Sequence, residues 1–465
     1  MYTAAEIERA IPERIDRLPL SREIWRIMLL AGIAWLIESY DIGIIGNVLP
    51  TLEKQFQLNT AAIAIVSTIS TLGIVVSVVP SGWLADRLGR KKILIVGTAW
   101  YALFSLLTAF SPNILVLIIL RFIAGLGMGA VFPIPYAMSA ELLSRNLRGT
   151  MTSVLDSCLS FGYFLSPLLA LVVIPHLSVN MGWRLLFVIG GLPLLYVPVI
   201  MKWMPESPRW LQTKGRIQEA DQIVSDLEHV IERRAGTTLP ALQLETNTYQ
   251  QQSLSPMLIF RRAYIKRTVM MWISFACILF IFYAIQTYTP TVLLKQGYGV
   301  SNAFLLTTII VLASIPGKYF AAYTLERFGR KFTLIAFTLI AAMGAILFGF
   351  AHSAGLALCC GCIMSFFGIG VDPAIKIYGA EQYPTSIRET GISFFECIGR
   401  LFGGVLAPFI MAFLLAQVNI AGSYIFVAAI SLFGVLAVAL LGTETKGKLL
   451  EKTVETSPVV NYTER

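Results

Sequence analysis

The chain is written as long apolar runs broken by short charged loops, and that pattern restricts its fold more than any other feature. A helix needs about 20 predominantly apolar residues to cross a hydrocarbon layer of roughly 30 Å. Read between charge clusters, the sequence predicts twelve such spans, at roughly 26–50, 61–85, 92–110, 114–139, 149–173, 184–203, 268–294, 302–325, 332–351, 354–380, 389–415 and 421–442. Inside a bilayer every backbone polar group must bond within its own segment, so the spans are helices and the expected fold class is all-α, with 12 transmembrane helices. Composition agrees: 56% of the 465 residues are apolar and 14% are charged, where soluble domains carry about 45–50% and about 25%.

One long hydrophilic stretch, 204–267, divides six spans from six. The expected organisation is a cytoplasmic N-terminal segment (1–25), a six-helix bundle (26–203), a cytoplasmic linker (204–267) with a short helix from Gly215 to Arg234, a second six-helix bundle (268–442) and a cytoplasmic tail (443–465). The two bundles repeat. Asp86-Arg87-Leu88-Gly89-Arg90-Lys91 recurs as Glu326-Arg327-Phe328-Gly329-Arg330-Lys331, Glu141 with Arg148 recurs as Glu381 with Arg388, and Pro50 recurs as Pro290. Each offset, such as 326−86, is 240. Two bundles of one design related by an axis along the membrane normal are a transporter architecture.

The charge of +9 would suggest a nucleic-acid partner in a soluble protein. Here 29 of the 36 Lys and Arg fall on one side of the predicted topology, three (Lys54, Arg184, Lys295) on the other, and four (Arg121, Lys318, Lys376, Arg400) within spans. The positive-inside rule then puts both termini in the cytoplasm and leaves no role for nucleic acid. The charged first 26 residues are not a cleavable signal peptide. Cys158, Cys277, Cys359, Cys360, Cys362 and Cys397 lie in apolar runs without zinc-ligand spacing, and nothing implies a metal or cofactor.

Several motifs carry a resemblance. Gly82-Trp83-Leu84-Ala85-Asp86-Arg87-Leu88-Gly89-Arg90-Lys91, Arg121 followed by Gly125, Gly127 and Gly129, Pro205-Glu206-Ser207-Pro208-Arg209-Trp210-Leu211 and Thr443-Glu444-Thr445-Lys446-Gly447 are together similar to the major facilitator superfamily, in the style of its sugar-porter branch. Trp35 to Gly43, Pro316-Gly317 and Glu381-Gln382-Tyr383-Pro384-Thr385-Ser386-Ile387-Arg388 resemble the niacin-type and organic-acid carriers within it. Span 7 has a single Gln286 where sugar porters pair two, and span 5 lacks the glycines of drug-exporter antiport motifs. The resemblance implies alternating access, with symport or uniport favoured over drug export.

A charge at the bilayer centre costs about 2.5–3.5 kcal/mol, so charges inside spans are functional candidates. At a rise of about 1.5 Å per residue, Asp41 and Arg121 both lie about 12–13 Å below the outer surface. They match the acid and arginine that the resembling family uses for proton coupling. Paired, the carboxylate stays charged; parted in an apolar interior, it takes up a proton. Glu38, three residues earlier, is a supplementary proton site. From the other side Asp156, Glu396 and Asp372 lie about 12–13 Å deep, and Asp156 and Glu396 are again 240 apart, predicting equivalent sites that face across the halves. Glu396 with Arg400, and Asp372 with Lys376, are at i,i+4 spacing.

Arg400, about 18 Å deep, is the candidate for substrate charge, because its planar fork can hold a carboxylate. Tyr283, Gln286 and Asn47 are the candidate polar contacts. Asp86, Arg87, Arg90, Glu141, Arg148, Glu326, Arg327, Arg330, Glu381 and Arg388 are assigned to ion-pair networks that lock the outward-facing state. The expectation is a plasma-membrane secondary transporter, working as a monomer and not an enzyme, that moves a small organic acid or aromatic metabolite, nicotinate-like and favoured as an anion, with protons. A sugar or polyol carrier, an organic cation or drug exporter, and a carrier-like membrane sensor are the alternatives.

Overall fold

A computed structural model describes residues 4–235, 238–240, 259–262, 264–383 and 388–446, excepting the side chains of residues 4–9, 140, 145–150, 152–153, 235 and 388–390. Among the described residues the structure is helical, with 12 helices long and apolar enough to cross a membrane. They are span 1 (Arg22–Phe56), span 2 (Thr60–Leu88), span 3 (Arg90–Thr108), span 4 (Ile114–Ser139), span 5 (Val154–His176), span 6 (Val179–Trp203), span 7 (Ile265–Lys295), span 8 (Val300–Phe328), span 9 (Arg330–Gly349), span 10 (Ala354–Glu381), span 11 (Gly391–Gln417) and span 12 (Ile420–Leu441). The loop side that carries Arg90 and Arg330 is called the basic side below.

Among the described residues spans 4, 6, 8 and 10 are each built of two α-helices, and in spans 4 and 10 the breaks carry prolines related by the repeat. In span 4 one helix stops at Val131 and the next starts at Ile134; in span 10 the helices are Ala354–Gly368 and Asp372–Glu381. Pro133 and Pro373 stand at these breaks, each lacking the N–H that would continue the ladder, and 373−133 is again 240. Span 11 departs differently. It winds as a π-helix over Arg400–Leu406, a rare form that concentrates at functional sites.

The segment ahead of span 1, read from sequence only as a charged stretch, forms the helix Ala4–Asp16. Ile11 and Ile15 fall one turn apart and bury against Trp210, Leu211, Ala220 and Val224 of the linker helices Pro208–Thr213 and Ile217–Ala235. The second of these overlaps the stretch from Gly215 to Arg234. Arg14 and Arg17 both pair with Glu228 at 2.6 Å, and Arg14 also reaches Asp221 and Ser225. The polar run at 250–252 lies outside the described residues.

The chain divides into two compact units, one of Met1–Ile42, Gly73–Tyr163 and Arg184–Tyr249, the other of Gly43–Leu72, Phe164–Trp183 and Gln250–Arg465. The second unit thus includes the ends of spans 1, 2 and 5 away from the basic side. Gly46 explains the grouping: a Cβ there would meet the Gln286 carbonyl at 2.6 Å and Thr287 Cα at 2.7 Å, so only glycine lets spans 1 and 7 approach this closely. Tyr288 reinforces it. Its hydroxyl donates to the Pro408 carbonyl at 2.6 Å and lies 3.2 Å from the Ser67 hydroxyl of span 2.

Candidate functional site

In the first unit, span 1 presents Asp41, span 3 Ser105 and span 4 Arg121. Both terminal nitrogens of Arg121 donate to Asp41 Oδ2 at 3.0 Å, the Ser105 hydroxyl donates to Oδ1, and the pair is 0% exposed. The guanidinium lies 5.2 Å from the Phe187 ring centroid, which closes one side of the pocket. Such a pair survives out of water because each charge is compensated by the other and by further hydrogen bonds. Glu38 is fully buried too, and the buried Tyr101 hydroxyl of span 3 sits in the field of both acids. Two carboxylates therefore share the buried neighbourhood of Arg121. Ser105 went unnoticed in the sequence because one hydroxyl in an apolar run carries no pattern.

Asp156 is held separately. The Tyr136 hydroxyl donates to its Oδ1 at 3.3 Å, and Tyr136 packs edge-on against Trp35 with centroids 4.4 Å apart. The Trp35 indole N–H donates at 3.0 Å to the carbonyl of Phe132, at the break before Pro133. The break in span 4 thereby sets the orientation of the aromatic pair that supports Asp156.

In the second unit the two i,i+4 pairs form as expected: Lys376 Nζ lies 2.7 Å from Asp372 Oδ2, and Arg400 Nε 3.4 Å from Glu396 Oε2. Arg400 opens the π-helical turn, whose Gly403 and Gly404 pack on span 7; a Cβ on Gly404 would meet the Tyr283 ring at 3.0 Å. Tyr283 is buried and its hydroxyl has no hydrogen-bond partner among the described residues. The Asn47 amide donates to Ser166 Oγ at 2.8 Å and to the Gly43 carbonyl at 3.0 Å, leaving its own Oδ1 without a hydrogen-bond partner among the described residues. Gly43 also abuts the Gln286 amide, so Asn47, Ser166 and Gln286 converge from spans 1, 5 and 7. Ser166 was missed, although it precedes Pro167 inside span 5. A cavity of about 410 Å³ in the same unit is lined by Lys54, Pro175, Ser301 and Asn302 and by none of these site residues.

At the basic side the repeat is exact in its contacts. Arg90 bridges Asp86 at 2.8 Å and Glu141 at 3.1 Å, while Arg330 bridges Glu326 at 3.2 Å and Glu381 at 3.0 Å. Arg87 and Arg327 do otherwise: Arg87 lies 3.6 Å over the Trp83 ring, and Arg327 donates to the Tyr323 hydroxyl at 2.6 Å. The side chains of Arg148 and Arg388 lie outside the described residues. Two carboxylates that the sequence reading left in its motifs without a role complete the networks. Glu206 accepts from the Lys91 N–H at 3.1 Å, and Glu444 accepts from the Arg330 and Lys331 N–H groups at 2.9 and 3.0 Å. Each caps the start of span 3 or span 9 just after Gly89 or Gly329, whose φ values are +109° and +102°. Burial works against the Glu444 charge, yet backbone N–H groups of Lys446, Arg330, Lys331 and Thr445 hold its carboxyl below the usual range.

Charge pairs buried in twelve broken and unbroken spans, around a twofold repeat, define a membrane carrier. Residues 27–456 match the family described as "Sugar (and other) transporter". The chain is 35% identical over 439 residues to the niacin transporter NiaP of Acinetobacter baylyi, covering 94% of this chain and 98% of that one. It is 28% identical over 413 residues to the 4-hydroxybenzoate transporter PcaK of the same organism, covering 87% of each. Among solved structures, the partially occluded inward-open xylose transporter XylE of E. coli superposes with a TM-score of 0.77 at 19% identity, covering 92% of this chain and 100% of that one; at that identity the likeness is one of fold. The chain belongs to this sugar-transporter family. It is a multi-pass membrane secondary transporter and not an enzyme.

Proposed function

We propose that the protein is a proton symporter that imports a small aromatic or organic acid, of which nicotinate is the type, across the plasma membrane as a monomer with both termini in the cytoplasm. The observation that carries the substrate class is Arg400, a buried guanidinium placed at the start of the π-helical turn in span 11. Relatives named for niacin, 4-hydroxybenzoate and gallate support it, since each of those compounds joins a carboxylate to an aromatic ring. In this reading Arg400 holds the carboxylate, Glu396 occupies the guanidinium when substrate is gone, and Tyr283, Gln286 and Asn47 offer polar contacts to the ring. Asp372 and Lys376 neutralise one another in span 10, and Asp156 with Tyr136 forms the polar support of the other half.

Asp41 and Arg121 carry the coupling. Saturated by Arg121 and Ser105, Asp41 stays charged; when the spans shift and the pair parts, the stranded carboxylate takes up a proton. Glu38 supplements it as the second acid of that neighbourhood. The networks around Arg90 and Arg330 hold the basic-side loops in register and alternate with contacts at the opposite side as access switches. The positive-inside distribution supports the orientation.

Thermal stabilisation by ligands tests the substrate class. Nicotinate and 4-hydroxybenzoate raise the melting temperature of the purified protein, whereas nicotinamide and xylose do not, and Arg400→Ala removes the shift. An acid shift unchanged in Arg400→Ala, or a larger shift with xylose, overturns the reading.

A further inference from the structure

The basic end of span 7 holds a cluster that lies outside the site proposed for transport. Arg261, Arg262, Lys266 and Arg267 fall within seven residues, and no Asp or Glu occurs anywhere between Glu245 and Glu326. A loop that serves topology alone needs charge but no fixed shape; this one is pinned. The N–H groups of Tyr264 and Ile265 both donate to the Arg261 carbonyl at 2.9 Å, closing a tight turn. The Thr268 hydroxyl donates to the Ile259 carbonyl at 3.0 Å, and the Tyr383 hydroxyl lies 3.1 Å from that of Thr268. Arg267 turns inward and donates to the Gln382 carbonyl at 3.3 Å, whereas Arg261, Arg262 and Lys266 stay exposed. The N-terminus of the span 7 helix, starting at Ile265, adds its positive dipole end at the same place.

Beside the turn stands an aromatic wedge. Phe260 is 43% exposed and packs edge-on against Trp272 of span 7, centroids 6.1 Å apart, and against Phe394 of span 11, 5.9 Å apart; Phe394 is itself 40% exposed. Trp272 follows Lys266 by six residues, which places it about 9 Å deeper along the helix. Fixed cations at the headgroup level with aromatic rings just below them match the two ends of a phospholipid: basic groups at the ends of spans recognise anionic headgroups, and aromatic rings favour the interfacial depth beneath.

We propose that this turn and wedge are a binding site for an anionic phospholipid, its phosphate held by Arg261, Arg262 and Lys266 and its first methylenes lying against Phe260, Trp272 and Phe394. The site is independent of the transported substrate and requires only that the chain sits in a bilayer. Each basic side chain near an anionic surface contributes roughly fivefold in affinity, so three contribute on the order of 100-fold.

The experiment is native mass spectrometry and thermal unfolding of the full-length protein titrated with phosphatidylglycerol, phosphatidylcholine or inorganic phosphate. The wild type retains phosphatidylglycerol over phosphatidylcholine and gains stability from it, and the variant carrying Arg261→Gln, Arg262→Gln and Lys266→Gln brings the two lipids near parity. Undiminished selectivity in that variant overturns the proposal, as does stabilisation by inorganic phosphate equal to that by phosphatidylglycerol, which would mark a site for a free anion. Should the triple variant misfold, Phe260→Ala keeps every charge and with it the topology. It shortens retention of both lipids, and retention equal to the wild type counts against the site.

Discussion

Among the described residues Arg121 is the cation bonded to Asp41, and replacing it by glutamine leaves that carboxylate in an interior where neither partner is exposed, with the Ser105 hydroxyl as its remaining described donor. Stranding one member of a buried pair costs about 3–5 kcal/mol. For a folding unit of roughly 200 residues each kcal/mol moves the melting temperature by about 2–4 °C, so Arg121→Gln lowers it on the order of 10 °C. Asp41→Asn strands Arg121 in the same way. The double variant strands neither charge, so its loss falls short of the summed single losses by about 0.5–3 kcal/mol, the range seen for directly coupled residues. Thermal unfolding of the four proteins in one detergent, followed by tryptophan fluorescence with the buried Trp35 as a local reporter, measures the cycle. Additive losses, or an Arg121→Gln protein within about 0.5 kcal/mol of the wild type, refute the reasoning, since unexposed charges cannot be cheap to strand.

Glu444→Gln weakens the cap of span 9. Because the folded carboxyl titrates below its ordinary range, its contribution is full above that range and is lost as pH falls through the lowered value; the variant is therefore less stable at neutral pH and converges with the wild type in acid, read as melting temperature against pH. Gly89→Ala and Gly329→Ala force a side chain into positive φ at a cost of about 1–3 kcal/mol each and push on the capping carboxylates, so both melt lower by several degrees; an unchanged melting temperature contradicts the cap geometry. Arg14→Ala releases the N-terminal helix from Glu228 and Asp221, and amide exchange over residues 10–16 rises roughly tenfold, the equivalent of about 1.4 kcal/mol; unchanged protection means that Ile11 and Ile15 alone hold the helix.

Much of this fold is written in spacing. The 240-residue offset placed Arg90 opposite Arg330 in the design, and the structure shows each bridging the matched pair of acids. Helical spacing likewise paired Asp372 with Lys376 and Glu396 with Arg400. The caps escaped that search because Glu206 and Glu444 are 238 apart, span 12 with 22 residues being shorter than span 6 with 25. Pro133 and Pro373 keep the full offset, but a proline within a span is not by itself a break: Pro50 and Pro290 sit inside unbroken helices. The π-helical turn depends on how closely Gly403 and Gly404 meet span 7, a tertiary fact with no local signature. The N-terminal helix was hidden by its charge, because the two isoleucines that bury do so only against the linker. Arg87 and Arg327 show the limit of reading charge as ion pairing: a guanidinium next to an aromatic ring has another partner to choose.

The most direct test of the account is uptake of nicotinate into proteoliposomes with an inwardly directed proton gradient. The wild type concentrates nicotinate above its external level while the gradient lasts and stops when an ionophore collapses it. Asp41→Asn loses accumulation yet still exchanges labelled for unlabelled nicotinate, because substrate binding at Arg400 does not require the Asp41 proton. Full gradient-driven accumulation by Asp41→Asn, or wild-type uptake indifferent to the gradient, would contradict proton coupling through the Asp41–Arg121 pair.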